Sequence, residues 1–361
     1  MITCGRSYGI PSSSSTSRVV FPVRRLTTRW SRPGQPEVTF GAILALAGRA
    51  AHLEAVRWPP GEARILSPAE DGIMIWLGEH RGFLSDWATQ RWVQLTGRKY
   101  SFDEAPWLVG PTGPTRGIGA SAIERAAECE GLVPLDQRST SGLIPDFSEL
   151  RGQSFDPGRI SPGVRAFYEQ TSRYEIDVWS QWRGLFHPFG SLLARIFSRR
   201  LQQLNVPLAP LDTSMGIASS VTQYARPPDD RTAYTAWIRK IIGSGDILFA
   251  AAYSTTRIPG HDGPCVRVVF PLPNGNAIVL MKPVVHEDGS MSLVSKGARF
   301  GDPGFYFTIR AEGSELVARY LRSLRDVITV FALNGEVRAN HVLTLWGRDV
   351  LQLHYRMRRN D

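Results

Sequence analysis

Residues 265–285 read CVRVVFPLPNGNAIVLMKPVV. Two apolar, β-branched runs, Cys265–Leu272 and Ala277–Val285, flank Pro273-Asn274-Gly275-Asn276. Asn-Gly tolerates the positive φ angles of a tight hairpin, so the stretch predicts two antiparallel strands. The same grammar extends outward. Ile247–Ile258 precedes it, and Ser290–Lys296, Phe305–Arg310, Glu315–Leu324, Val327–Leu333, Val337–Leu345 and Val350–Met357 follow. Their joints are short and carry turn residues: Glu287-Asp288-Gly289, Glu312-Gly313 and Asn334-Gly335. In the last run Leu351, Leu353, Tyr355 and Met357 alternate with Gln352, His354, Arg356 and Arg358. That alternation belongs to a strand with one buried face. Nine sequential strands predict an antiparallel meander, curled as a sheet or closed as a β-barrel, which would remove exposed edges.

Upstream the period changes. Ser161 is a plausible N-cap with Pro162 at the first helical position. Val164, Phe167, Tyr168, Thr171, Tyr174, Val178, Trp179 and Trp182 recur every three or four residues, which predicts one aromatic helix face. Gly184–Pro188 interrupts it, and Phe189–Leu204 reads as a second helix of a hairpin. Shorter helices are predicted at Phe83–Leu95 and Ala120–Glu130. The fold class expected is therefore α+β, a helical N-terminal half packed on the C-terminal meander. Residues 1–60 read as a basic tail without a fold, or as a start placed too far upstream. Residues 61–160 are mixed helix and loop, 161–361 hold the hairpin and the meander, and 61–361 form one domain.

The chain has 361 residues and a net charge of +9. Eight arginines against two acids fall in residues 1–60, which leaves the rest nearly balanced. A nucleic-acid-binding body needs a basic stripe over its folded surface, so no nucleic-acid partner is expected. The three cysteines, Cys4, Cys129 and Cys265, are far apart and form no CxxC. That spacing argues against a disulfide framework or a zinc site. No apolar run approaches the roughly 20 residues that span a bilayer, so no membrane span and a cytoplasmic location are expected.

No motif assigns a chemistry. Thr112–Gly119 (TGPTRGIG) has the glycine spacing of a dinucleotide turn. It lacks a preceding strand and any strand–helix alternation after Asp136, so it reads as loop. There is no HxH or HExxH. No metal or cofactor is expected. His341 and His354 fall on adjacent predicted strands and could approach each other, but a solvated polar pair is the simpler account.

From about residue 161 to 359 the chain resembles an uncharacterised family of bacterial proteins. The residues that carry the likeness are Phe167-Tyr168-Glu169, Asp177-Val178-Trp179-Ser180, Leu192–Asn205 (LLARIFSRRLQQLN), Pro264–Asn276, Gly301–Tyr306 (GDPGFY) and Leu353–Met357. The likeness implies no activity, and helices beside a long meander are only analogous to lipocalin-like or START-like ligand-binding folds. The function expected is the binding of a small apolar molecule in a barrel-type pocket. Candidate contacts are Tyr174, Trp179, Trp182, His187, Tyr253, Arg257 and Tyr306. An isomerase, cyclase or hydrolase acting on an apolar substrate is the alternative. It would need a titratable group in the pocket, with His187, Asp177 or His354 first considered. A third class is a protein-interaction module whose basic tail meets an acidic partner.

Overall fold

The computed structural model describes residues 84–113, 119–135, 140–183, 216–229 and 231–360. The expected basic tail, the second helix at 189–204 and His187 lie outside these residues. Fourteen strands form one mixed-length antiparallel sheet. In chain order they are β1 (Arg98–Ser101), β2 (Val133–Pro134), β3 (Tyr174–Trp182), β4 (Ile217–Ala225), β5 (Thr232–Ile241), β6 (Ile247–Thr256), β7 (Cys265–Leu272), β8 (Gly275–Val285), β9 (Met291–Ser295), β10 (Gly304–Arg310), β11 (Glu315–Leu321), β12 (Leu324–Leu333), β13 (Glu336–Leu345) and β14 (Arg348–Arg359). The hydrogen-bonded path runs β2-β4-β5-β6-β7-β8-β9-β12-β13-β14-β3, and β10, β11 and β1 branch from β8. Among the described residues three α-helices accompany the sheet: α1 (Leu84–Thr96), α2 (Gly119–Cys129) and α3 (Pro162–Glu169).

The turn chemistry explains the meander. Asn274 (φ 59°) and the Asn334-Gly335 pair (φ 52° and 79°) take left-handed backbone at the β7–β8 and β12–β13 joints. Gly275 answers to a different constraint. A Cβ there would sit 2.0 Å from the Thr308 carbonyl oxygen, so only glycine lets β10 pair with β8.

Side-chain alternation splits the core between the two faces. On one face, residues from β3, β5–β9 and β12–β14 meet in a single buried cluster that includes Ile176, Trp237, Tyr253, Val268, Met281, Leu293, Val330, Val337 and Met357. Strands from both ends of the path share this cluster, so the sheet is curled and this face is its concave side. Residues 141–172 close one end of the curl with Leu143, Ile144, Phe147, Leu150, Val164, Phe167 and Tyr168. The convex face packs Trp107, Leu108 and Ile123 against Tyr234, Val269, Ile278, Tyr306 and Tyr320. Helix α1 adds Val93 over Ile309 and Val317 of β10 and β11.

Three expectations are corrected. First, the sheet is not closed: β3 and β4 lie side by side without ladder hydrogen bonds among the described residues, so this is no barrel. Second, the aromatic helix expected through Trp182 stops at Glu169. The Thr171 hydroxyl donates to the Phe167 carbonyl at 2.7 Å, and Tyr174–Trp182 is a strand paired along its length with β14. Tyr174, Val178 and Trp182 satisfy a period of two as well as a helical period, and the β14 edge decides between them. Third, the alternating region begins before Asp246. Strand β5 buries Tyr234, Thr235, Ala236 and Trp237 consecutively, because both of its faces are covered, and this erases the period-two signal.

Candidate functional site

The concave face is apolar at both ends and polar in the middle. The plugged end is the aromatic cluster just described. Toward the other end, Val178, Ile241, Leu248, Leu345, Leu351 and Leu353 form a second apolar cluster. Trp182, Ile217, Leu324 and Leu343 pack against it and remain partly exposed. Phe249 and Tyr355 touch both clusters. Between them, inward positions of β5, β6, β12, β13 and β14 place Arg239, Tyr253, Asp326, His341 and Tyr355.

Arg239 shares its strand parity with Trp237 and Ile241, so its side chain points inward. Only 3% of it is exposed. Its Nη2 donates to the Ile176 carbonyl of β3 at 3.2 Å, across the open seam. Its Nε has no hydrogen-bond partner. The guanidinium carbon lies 5.4 Å from the Trp237 ring and 5.7 Å from the Tyr355 ring. No carboxylate among the described residues stands within ion-pair distance of it. Burial pulls its pKa below the ordinary arginine value, against the opposing pull of Tyr355, Tyr253 and Asp177.

His341 and Asp326 face each other from β13 and β12, with Nε2 2.6 Å from Oδ1. The two groups are close, but no aligned hydrogen bond reaches Asp326 Oδ1. The Asp326 amide donates to Ser295 Oγ at 2.8 Å, which holds β12 on β9. Tyr355 lies nearly parallel to the imidazole at 6.2 Å, with its hydroxyl 3.4 Å from Nδ1. Burial pushes the Tyr355 hydroxyl up to about 12. Burial also raises Tyr253 well above the ordinary tyrosine value, with Tyr168, Tyr355 and Asp326 adding to it. Both phenols are therefore neutral donors at neutral pH. The arrangement offers one cation, two hydroxyls and an imidazole beside a carboxylate. It can hold an anionic or polar group and can exchange a proton at His341.

The expected contacts divide between faces. Tyr174, Trp182 and Tyr253 share the concave face. Tyr174 packs edge-on against Phe167 (5.4 Å, 83°), and Tyr253 against Trp237 (5.7 Å). Trp179 points the other way, is 45% exposed and lies beside His354. Arg257 is exposed just beyond the end of β6. Tyr306 is buried on the convex side, where its hydroxyl donates to the Asp302 carbonyl at 2.6 Å. Of the acid/base suspects, Asp177 faces outward and meets Arg358 (3.2 Å). His354 also faces outward, its Nδ1 2.7 Å from Asn340 Oδ1. His341 and His354 thus lie on opposite faces, because His354 pairs with Asn340, not with His341. Among the described residues no group of three or more His, Cys, Asp or Glu could hold a metal ion.

Arg239, Asp326, His341 and Tyr355 were not singled out as contacts from sequence. A signal existed: each occupies the apolar parity of its strand, where a polar residue is out of place. Helix α3 and the ends of β13 and β14 border an open cleft of about 540 Å³ lined in part by Pro162, Ala166, Tyr174, Glu336, Met357 and Arg358.

No family model matches the chain, and no solved structure matches it. It is similar to the Uncharacterized membrane protein YndJ of Bacillus subtilis (strain 168), with 29% identity over 218 residues. That alignment covers 60% of this chain and 38% of the relative, so the chain spans well under half of the relative's length. The match agrees with a likeness to uncharacterised proteins and supports no lipocalin-like or START-like analogy. The relative is named a membrane protein, so the match does not confirm the cytoplasmic expectation. Among the described residues no helix is long and apolar enough to cross a membrane.

Proposed function

We propose that the concave side of the curled sheet binds a small, largely apolar molecule. The observation that carries this reading is the polar girdle, Arg239, Tyr253, Tyr355 and the His341–Asp326 pair, set between two apolar clusters. A sheet that only needed a core would fill this position with aliphatic side chains, because burying under-satisfied polar groups costs stability. Titrating the full chain with the neutral dye N-phenyl-1-naphthylamine tests it. The expected result is saturable fluorescence at one dye per chain, lost in Leu343→Trp, which fills the half-buried end. Linear, unsaturable fluorescence from the wild-type chain would sink the reading.

Catalysis on such a molecule is a second reading, favoured by the 2.6 Å His341–Asp326 contact. A carboxylate beside an imidazole can orient it as a general base. If it holds, a molecule extracted from the purified protein is converted by wild type and left unchanged by His341→Gln.

A further inference from the structure

Arg239 is buried and Arg267 half-buried in the sheet, and their surroundings differ. Arg267, on the convex side, spends its donors within the protein: Nε on Ser254 Oγ (2.9 Å), and Nη1 on the carbonyls of Val109 (2.9 Å) and Pro106 (3.3 Å). Those bonds tie the N-terminal segment to β7 and account for the residue. Arg239 has one such bond, to the Ile176 carbonyl, and an unpartnered Nε. Trp237 and Tyr355 cover its ring-like faces but accept nothing from its N–H edge. A buried guanidinium with idle donors and no carboxylate is expensive unless an anion completes it.

We infer that Arg239, with the Tyr253 and Tyr355 hydroxyls beside it, is the subsite for a carboxylate head, so that the bound molecule is an apolar chain or ring ending in a carboxylate. The inference rests on the proposed concave-face site and specifies its ligand class. One cation matches one negative charge. A dianion such as a phosphate monoester would leave an excess charge facing the Asp326 carboxylate across the same cluster, and like charges in a buried site repel strongly. A planar carboxylate also fits the fork of guanidinium donors. Tyr253 Oη makes no hydrogen bond within the described protein, and Tyr355 Oη has only the long 3.4 Å approach to His341, so both can donate to a ligand. The apolar remainder of the molecule would lie against Val178, Leu351 and Leu353.

The test compares three probes of one chain length on the full chain, each below its micelle concentration: dodecanoate, dodecanol and dodecyltrimethylammonium. Affinities are read by displacement of N-phenyl-1-naphthylamine and by calorimetry. The expected result is dodecanoate tighter than dodecanol by about tenfold or more, with the ammonium weakest. In Arg239→Met the preference collapses to within about twofold while dodecanol affinity holds. In Tyr253→Phe, which preserves the ring and the fold, the preference falls by roughly threefold. Equal binding of dodecanoate and dodecanol by wild type overturns this inference and leaves the apolar site standing. Binding of none of the three overturns the site itself. Should Arg239→Met not fold, the wild-type ranking and Tyr253→Phe still decide.

Discussion

The carboxylate of Asp302 holds the turn ahead of β10. Its Oδ2 accepts from the amides of Ala298 (2.8 Å) and Arg299 (3.0 Å), and His261 Nε2 lies 3.3 Å from Oδ1. Its carbonyl takes the Tyr306 hydroxyl, which in turn accepts from the Gly301 amide at 3.0 Å. Burial pushes the Asp302 pKa up, but the two amides, His261 and Arg299 outweigh it and hold the group below the ordinary aspartate value. A depressed folded-state pKa contributes stability above the unfolded value, roughly 3.9, and loses it as pH falls through the lower folded value. Asp302→Asn is therefore expected to cost about 1–3 kcal/mol in urea unfolding at pH 7, with the gap to wild type narrowing at pH 3. An equal gap at both pH values would show that the negative charge is not what holds the turn. The same residues, GDPGFY at 301–306, were legible as a signature, and the structure gives them a structural task. Tyr306 was expected to line the pocket because an aromatic with a polar tip suits one, yet its polar tip closes this turn instead. Arg239 and His341 were hidden for the opposite reason. A lone charged residue in a strand normally marks the solvated face, and only the parity of Trp237, Ile241, Val337 and Ala339 around them reveals that they point inward.

Strand β3 is where local sequence and tertiary context compete most openly. As a helix, Tyr174-Glu175-Ile176-Asp177-Val178-Trp179 would put Trp179 on the buried stripe and Ile176 opposite. As a strand, it buries Ile176 and exposes Trp179, and the ladder with β14 pairs Ile176 with Met357 and Trp179 with His354. The two arrangements predict opposite outcomes for one kind of substitution. Ile176→Asp is expected to cost about 3 kcal/mol or more, because it buries a carboxylate with no partner. Trp179→Asp is expected to cost less than about 1 kcal/mol. Thermal denaturation of the two variants checks this, and the reverse ranking would restore the helix. Strands β6–β14 escaped the ambiguity, since each joins its neighbour through a turn whose residues exclude a helix, as at Asn274-Gly275 and Asn334-Gly335. Strand β5 was missed because a strand covered on both faces carries no alternation to read, and β4 because Ala218, Ser219 and Ser220 are exposed in succession while Gln223, Tyr224 and Ala225 are buried in succession. The long meander was thus legible, while its two first strands and the strand that completes its far edge were not.

At the scale of the whole molecule the strand path brings its ends together without joining them. Strand β4 is bonded to β5 on one side, and on the other only Tyr224 and Ala225 at its far end meet β2. Between Ile217 and Val221 the side facing β3 has no ladder partner among the described residues. The Arg239–Ile176 hydrogen bond crosses that seam with a side chain where a closed sheet would use backbone. An antiparallel strand points alternate amides to opposite sides, so a one-sided strand protects only every other N–H. Hydrogen exchange read by mass spectrometry should show about half of the amides of 217–223 exchanging early, while β7 and β8, paired on both sides, stay protected far longer. A carboxylate-bearing ligand that engages Arg239 would order the seam and slow the exchanging half of β4 without altering β7. If β4 instead starts out as protected as β7, the seam is bridged in solution, and a ligand could enter the concave side only through the half-buried end at Trp182, Ile217 and Leu343.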